Sequence, residues 1–203
     1  RDEFTPDNAR AAVKIVELIE AGKLTLVLPQ QITIELQDNF ADVQKDGTKS
    51  VQGLNDRVTQ MHEVIAAFGG VGPVIALPAP QHYEALADAV VARYRANAHI
   101  SDTTPTAMEK AGQRVITATA PARTGKQSYK DCLVLESCIE TLAAARALGF
   151  AASAHFMSTN VAEYADSMKK GLHPQLVAEF TALGLDFSKN FLELRYAPTI
   201  AAL

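Results

Sequence analysis

The stretch Leu24-Thr25-Leu26-Val27-Leu28-Pro29-Gln30-Gln31-Ile32-Thr33-Ile34-Glu35-Leu36 decides the fold class. Leu24 to Leu28 is a short apolar run suited to a strand buried on both faces. Pro29 then opens a helix, because its fixed φ and missing N–H fit a helix start. The core stripe of that helix is Ile32, Leu36, Phe40 and Val43. Upstream, Thr5-Pro6-Asp7-Asn8 reads as an N-cap, a first-position proline and an acid in the first turn. Ala12, Ile15, Val16 and Ile19 share one face of this earlier helix, and Gly22 ends it. Helix, strand and helix in alternation indicate an α/β layered fold.

Further along, Val51–Phe68, Gln81–Asn97 and Pro105–Thr117 read as helices, so the region at about 46–120 is expected to be a mainly helical insertion in a single domain spanning 1–203. Gly69-Gly70-Val71-Gly72-Pro73 inside it has no preceding strand and no Lys-Ser/Thr ending, so it fails the context test for a phosphate loop. The α/β pattern resumes with a helix from Asp131 to Leu148, a strand at Ala154–Ser158, and helices at Asn160–Lys170 and Gln175–Leu183. Phe191–Tyr196 fits a strand or a short helix.

Composition narrows the function classes. With 203 residues, 48% hydrophobic and 21% charged, the chain is long and apolar enough for one domain with a sizeable core, which excludes disorder. No apolar run approaches the about 18 residues of a membrane span, so no membrane partner is expected. Nineteen basic against 23 acidic residues, a net charge of −4, argue against a broad basic face for duplex DNA. A local basic rim for a nucleic-acid substrate stays open. Cys132 and Cys138 lie six apart on one helix and point in different directions, which does not favour a bridge, and no secretory pattern is present. The cytoplasm is the expected compartment. The chain opens on Arg1 without Met and reads as a fragment of a longer product.

Three acidic positions depart from a bland amphipathic pattern. Asp131 shares the apolar stripe of its helix with Val134, Leu135 and Cys138. Buried alone it would cost several kcal/mol, so it must be paired, capping, or bound to a cation. Glu35 borders the stripe of a helix that starts directly after a strand, over the sheet edge where open α/β folds place ligands. Asn160 and Glu163 follow the strand His155-Phe156-Met157-Ser158, where a capping box is the structural alternative. Carboxylates about 4 Å apart repel by roughly 4 kcal/mol per pair at an effective dielectric near 20, so a cluster of three needs protons, basic partners or a divalent cation. Oxygen ligands point to Mg²⁺ or Mn²⁺, and the scattered histidines give no zinc spacing.

Leu26-Val27-Leu28-Pro29 continuing to Ile34-Glu35-Leu36 resembles the second strand and acidic helix of PIN-domain nucleases. Lys130-Asp131-Cys132-Leu133-Val134-Leu135-Glu136 resembles the central helix of a larger bacterial PIN-like branch, and Phe156 to Tyr164 with His173-Pro174 resembles its strand-to-helix segment. The matches fall in the family's order, over roughly the first fifty and last eighty residues. The resemblance implies a three-layer α/β/α fold with a mainly parallel central sheet. It also implies a metal-dependent endoribonuclease, often the toxin of a toxin–antitoxin pair. Glu35, Asp131 and Glu163 would be metal ligands using Mg²⁺ or Mn²⁺, with Asn160 beside them in the catalytic group. Arg123, Lys126 and Lys130, in the segment leading into Asp131, would bind the RNA backbone. RNA, an antitoxin protein and a second copy of the chain are the partners this reading allows. There are two departures. The family's first strand, ending in an Asp ligand, has no counterpart here and is expected upstream of Arg1; Val161 stands where smaller toxins often carry Asp. A non-catalytic PIN-like module that binds RNA or protein is the alternative.

Overall fold

A computed structural model describes residues 5–72 and 79–203. It divides into two units, one built from Arg1–Ile34 with Asn97–Leu203 and the other from Glu35–Ala96.

In the first unit, α1 (Pro6–Glu20) starts where the Asn8 N–H donates to Thr5 Oγ1 at 3.2 Å, with Pro6 at its first position. The cap and the proline act as the sequence predicts. It buries Ile15, Val16 and Ile19 and packs on α8 (Phe191–Tyr196), where the Leu192 N–H donates to Asn8 Oδ1 at 3.0 Å. β1 (Leu26–Pro29) pairs in parallel with β2 (Ala98–Ser101), Leu26 opposite Ala98 and Pro29 opposite Ser101. β3 (Ala154–Met157) pairs in parallel with β4 (Leu185–Ser188), Phe156 opposite Phe187. Among the described residues these are two separate two-stranded parallel sheets.

α5 (Tyr129–Ala147) connects the packing of this unit. It lies against both β1 and β2, and its Val134 and Leu135 share a core with Phe156, Tyr164, Leu176, Phe180 and Leu185. Phe156 sits at the centre of that core, with its ring centroid 5.0 Å from Tyr164 and 5.9 Å from Phe180. On its other side α5 receives α4 (Pro105–Thr117), where Ala107 and Ala111 meet Cys132 and Leu133. Two alanines on the contact face let the helices approach closely.

The second unit is a pair of helices. α2 (Gln30–Ala67) begins in the first unit and runs 38 residues; α3 (Pro80–Ala96) lies beside its later part. Gln44 donates to both carboxylate oxygens of Asp88 at 2.9 and 2.8 Å, and the Thr48 hydroxyl donates to Glu84. Numbers rising on one helix as they fall on the other make the pair antiparallel. None of the described residues of this unit is buried.

Several sequence expectations are corrected here. The helix after Pro29 and the helix expected at Val51–Phe68 are one continuous helix, which passes through Gly47 and Gly53. Gly47 has a packing reason: a Cβ there would stand 3.3 Å from the ring of Tyr83. The helix stops at Gly69, φ +74°, where the Gly70 N–H reaches back to the Ile65 carbonyl at 3.0 Å. The glycine-rich run thus begins as a helix stop; Pro73 and the following residues to 78 lie outside the described residues. The helical unit covers 35–96, whereas the expected insertion covers about 46–120. Residues 98–101 inside that expected span form β2, and α4 packs on α5 in the first unit. β4 was not foreseen either, and Phe191–Tyr196 is helical. The helix expected at 160–170 is only α6 (Val161–Tyr164). The Asp166 carboxylate accepts from the Lys170 and Gly171 N–H groups at 2.9 and 3.1 Å and folds the chain into a turn. Those bonds hold its pKa below the ordinary value of 3.8. A 3₁₀ turn at Pro174–Leu176, α7 (Val177–Leu183) and α9 (Pro198–Ala201) complete the chain.

Candidate active site

The site is built where the first turn of α5 meets the turn after β3. Asp131 lies in that first turn, half-buried, close to the positive end of the helix dipole. Asn160 Nδ2 donates to Asp131 Oδ1 at 3.0 Å. The Tyr164 hydroxyl donates to the Asp131 carbonyl at 2.8 Å, so the buried Tyr164 ties α6 to the start of α5. Main-chain and side-chain contacts together fix Asp131 against the strand end.

Glu163 makes no capping box. Asn160 stands at the N-cap position of α6 without a side-chain cap bond. The Glu163 carboxylate, 8% exposed, goes instead to the segment before α5: Arg123 Nε is 2.8 Å from Oε2 and Lys126 Nζ is 3.6 Å from Oε1. Oε2 is buried and receives no aligned hydrogen bond, so proximity and charge, not a directed N–H, hold the Arg123 contact. Arg123 and Lys126 stay about half-exposed while paired, and Lys130 is exposed in the first turn of α5.

A residue that the sequence reading passed over anchors this segment. Arg114, 7% exposed, donates through Nη1 to the Ala120 carbonyl at 2.7 Å and through Nη2 to Glu179 at 2.5 Å, and its Nε binds Glu136. Burial alone would lower the guanidinium pKa; the bonds to Glu179 and Glu136 outweigh it and raise the value. The Ala120 N–H donates to Gln175 Oε1 at 2.8 Å, so both main-chain polar groups of Ala120 are held. The root of the segment is therefore pinned three residues before Arg123. A signal was present: Ala107, Ala111 and Arg114 fall at helical spacing on one face, which places an arginine on the stripe that packs inward. Glu136 is the buried partner of that arginine.

Glu35, on α2, is half-buried, and its carbonyl accepts from Asn39 Nδ2 at 2.9 Å. It belongs to the second unit, whereas Asp131, Asn160 and Glu163 belong to the first. Among the described residues no three His, Cys, Asp or Glu side chains gather as ligands for one ion. Asp131 and Asn160 offer oxygen donors of the kind a hard divalent ion takes. The charge of Glu163 is already offset by Arg123 and Lys126. The donor chemistry therefore fits such an ion at Asp131.

A PIN domain profile matches residues 1–164. The chain belongs to the PIN domain family. That match runs through the second unit and ends at the last residue of α6. No curated protein and no solved structure gives a match. Membership brings nuclease-type chemistry on RNA in general terms, in a family that generally depends on metal. Among the described residues no helix is long and apolar enough to cross a membrane.

Proposed function

We propose that this PIN domain chain is a metal-dependent endoribonuclease that hydrolyses RNA phosphodiester bonds at a site centred on Asp131. The observation that carries the reading is the 3.0 Å bond from Asn160 to Asp131. It joins an acid at a helix start to the polar turn at a strand's carboxyl end, the edge where open α/β folds bind ligands. Asp131 and Glu163 would hold Mg²⁺ or Mn²⁺, which when bound supplies an activated water and stabilises charge on phosphate oxygens.

The chain's own residues do the positioning. The Asn160 amide holds one oxygen of Asp131, which keeps the carboxylate in a single orientation. Arg123, Lys126 and Lys130 offer cations to the RNA backbone. When a phosphate engages Arg123 and Lys126, Glu163 loses its ion pairs and gains a free carboxylate. In the fold this reading requires, the two parallel pairs are parts of one three-layer α/β/α sheet covered by α5, and the second unit is its helical insertion. As a toxin in the cytoplasm, the chain would be held by an antitoxin protein. One observation favours the alternative, an RNA-binding module without catalysis: the buried Glu163 is already neutralised by Arg123 and Lys126.

The test is cleavage of single-stranded and structured RNA with Mn²⁺. The wild type cleaves, Asp131→Asn loses about 100-fold, and Asn160→Ala loses about tenfold. Equal cleavage by wild type and Asp131→Asn rejects the site. Retention of RNA with no metal-dependent cleavage by any of the three supports the binding module.

A further inference from the structure

α1 and α8 meet along a cleft of about 230 Å³ whose lining runs against the charge of the whole chain. The protein carries a net charge of −4, yet Arg10, Lys14 and Arg195 line this cleft with one acid, Asp7. The buried Ala11 and the half-buried Leu192 give it apolar walls, and the bond from the Leu192 N–H to Asn8 Oδ1 fixes the two helices to each other. Arg195 sets the cleft apart. It is half-buried, and among the described residues it is the one arginine of the first unit with neither a hydrogen bond nor an ion pair. Arg10, Arg114, Arg123 and Arg146 are all engaged by carboxylates or carbonyls. The nearby Glu193 is taken by Lys189, whose N–H and Nζ both reach it at 2.8 Å. A guanidinium partly out of water has five N–H donors to place, and no group of this chain takes them. Tyr196, next in the chain, lines the same cleft and is 72% exposed.

We propose that this cleft is a second anchoring site for single-stranded RNA, in which Arg195, Arg10 and Lys14 bind a backbone phosphate and the Tyr196 ring stacks on the adjoining base. Phosphate offers the planar fork of an arginine two oxygens at once. Arg10 and Lys14 are held only by exposed partners, Asp7 at 2.9 Å and Glu17 at 3.3 Å, and such pairs are weak enough to exchange for phosphate. An exposed aromatic ring beside cations suits a single strand, whose unpaired bases have free faces to stack. A duplex would call for a broad basic face instead. The place in the fold fits as well. The Ser158 N–H donates to the Ser188 carbonyl at 3.1 Å, so β3 and β4 end side by side. Asn160 leaves the first strand end and reaches Asp131; Asn190 leaves the second and caps α8. Arg195 lies about 8 Å along α8 from Asn190. A strand with one phosphate at Asp131 therefore crosses the two strand ends and meets Arg195 within a few nucleotides.

This inference rests on RNA being the ligand at Asp131 and adds where the strand is held outside that site. Its test is binding, in EDTA, of a fluorescent single-stranded RNA of about 12 nucleotides to the 203-residue chain, followed by anisotropy. Arg195→Gln should raise the dissociation constant about tenfold, Arg10→Gln with Lys14→Gln about tenfold, and Tyr196→Ala about fivefold. Each lost cation should lower the slope of log affinity against log salt by about 0.7, whereas Arg195→Lys should keep the slope and lose part of the affinity. Arg10, Lys14 and Tyr196 are exposed, so their variants stay informative even where Arg195→Gln loosens α8. Unchanged affinity and slope in Arg195→Gln and in the Arg10 and Lys14 double variant overturn the proposal, whether or not the wild type cleaves with Mn²⁺. A wild type that does not cleave, but whose binding falls in these variants, upholds the cleft and removes only the nuclease reading. A wild type that binds no RNA overturns the proposal. So does a poly-glutamate peptide that displaces the RNA at equal charge, which assigns the cleft to an acidic protein.

Discussion

The two units of this chain are built by opposite rules. In the first, helices of 4 to 19 residues have capped starts or closed ends and bury aromatic and aliphatic side chains around Phe156. In the second, one helix of 38 residues and one of 17 meet through Gln44–Asp88 and Thr48–Glu84 and bury no described residue. Helix length is therefore no measure of stabilisation here. Most helical stability in proteins comes from packing an apolar face, and the longest helix of the chain has no buried residue. A region so constructed offers surface, and the region around α5 offers a fixed frame.

The contrast can be broken at its strongest point first. Arg114→Met leaves Glu136 buried without its cation and should cost about 3–5 kcal/mol in urea unfolding. Its counterpart in the helical pair, Gln44→Ala, removes bonds that are only partly buried and should cost about 1 kcal/mol. Comparable losses would mean that the second unit is held as firmly as the first. Next comes apolar truncation. Leu135→Ala, at a fully buried position, should cost about 3 kcal/mol. Leu86→Ala on α3, 56% exposed, should stay within about 0.5 kcal/mol.

The smallest effect is a pH dependence confined to the first unit. His155 Nε2 lies 2.7 Å from Thr199 Oγ1 and 3.8 Å from Asp186, on a ring that is mostly buried. Burial lowers its pKa below the ordinary 6.5, and Asp186 only partly opposes this. The unfolded chain therefore binds the proton more readily than the fold does. Stability is complete above about pH 6.5 and falls as the pH drops through the folded value. His155→Gln should flatten that fall, seen as a difference of a few degrees in melting temperature between pH 7 and pH 5. A wild-type melting curve that rises on acidification over this range contradicts the assignment.

Local chemistry was legible in the sequence. Thr5 with Pro6 set the start of α1, the run from Leu26 announced β1, and Asp131 was identified as an acid that its stripe could not leave bare. Features that depend on distant partners were not. β2 and β4 have four residues each and no strict alternation, so only their parallel neighbours define them. The continuity of α2 through Gly47 was hidden because its reason, the ring of Tyr83, comes from another helix. The pairing of Glu163 with Arg123 was hidden because it depends on how Arg114, nine residues earlier, pins the chain at Ala120.

One consequence of the core around Phe156 concerns anyone who trims the chain. The family profile stops at residue 164, yet Leu176, Phe180 and Leu185 from beyond that point seal the rings of Phe156 and Tyr164. A recombinant product cut at the profile's boundary would strip those lids away. It would leave two aromatic rings wet next to Asp131, and aggregation would follow before any assay of activity could begin.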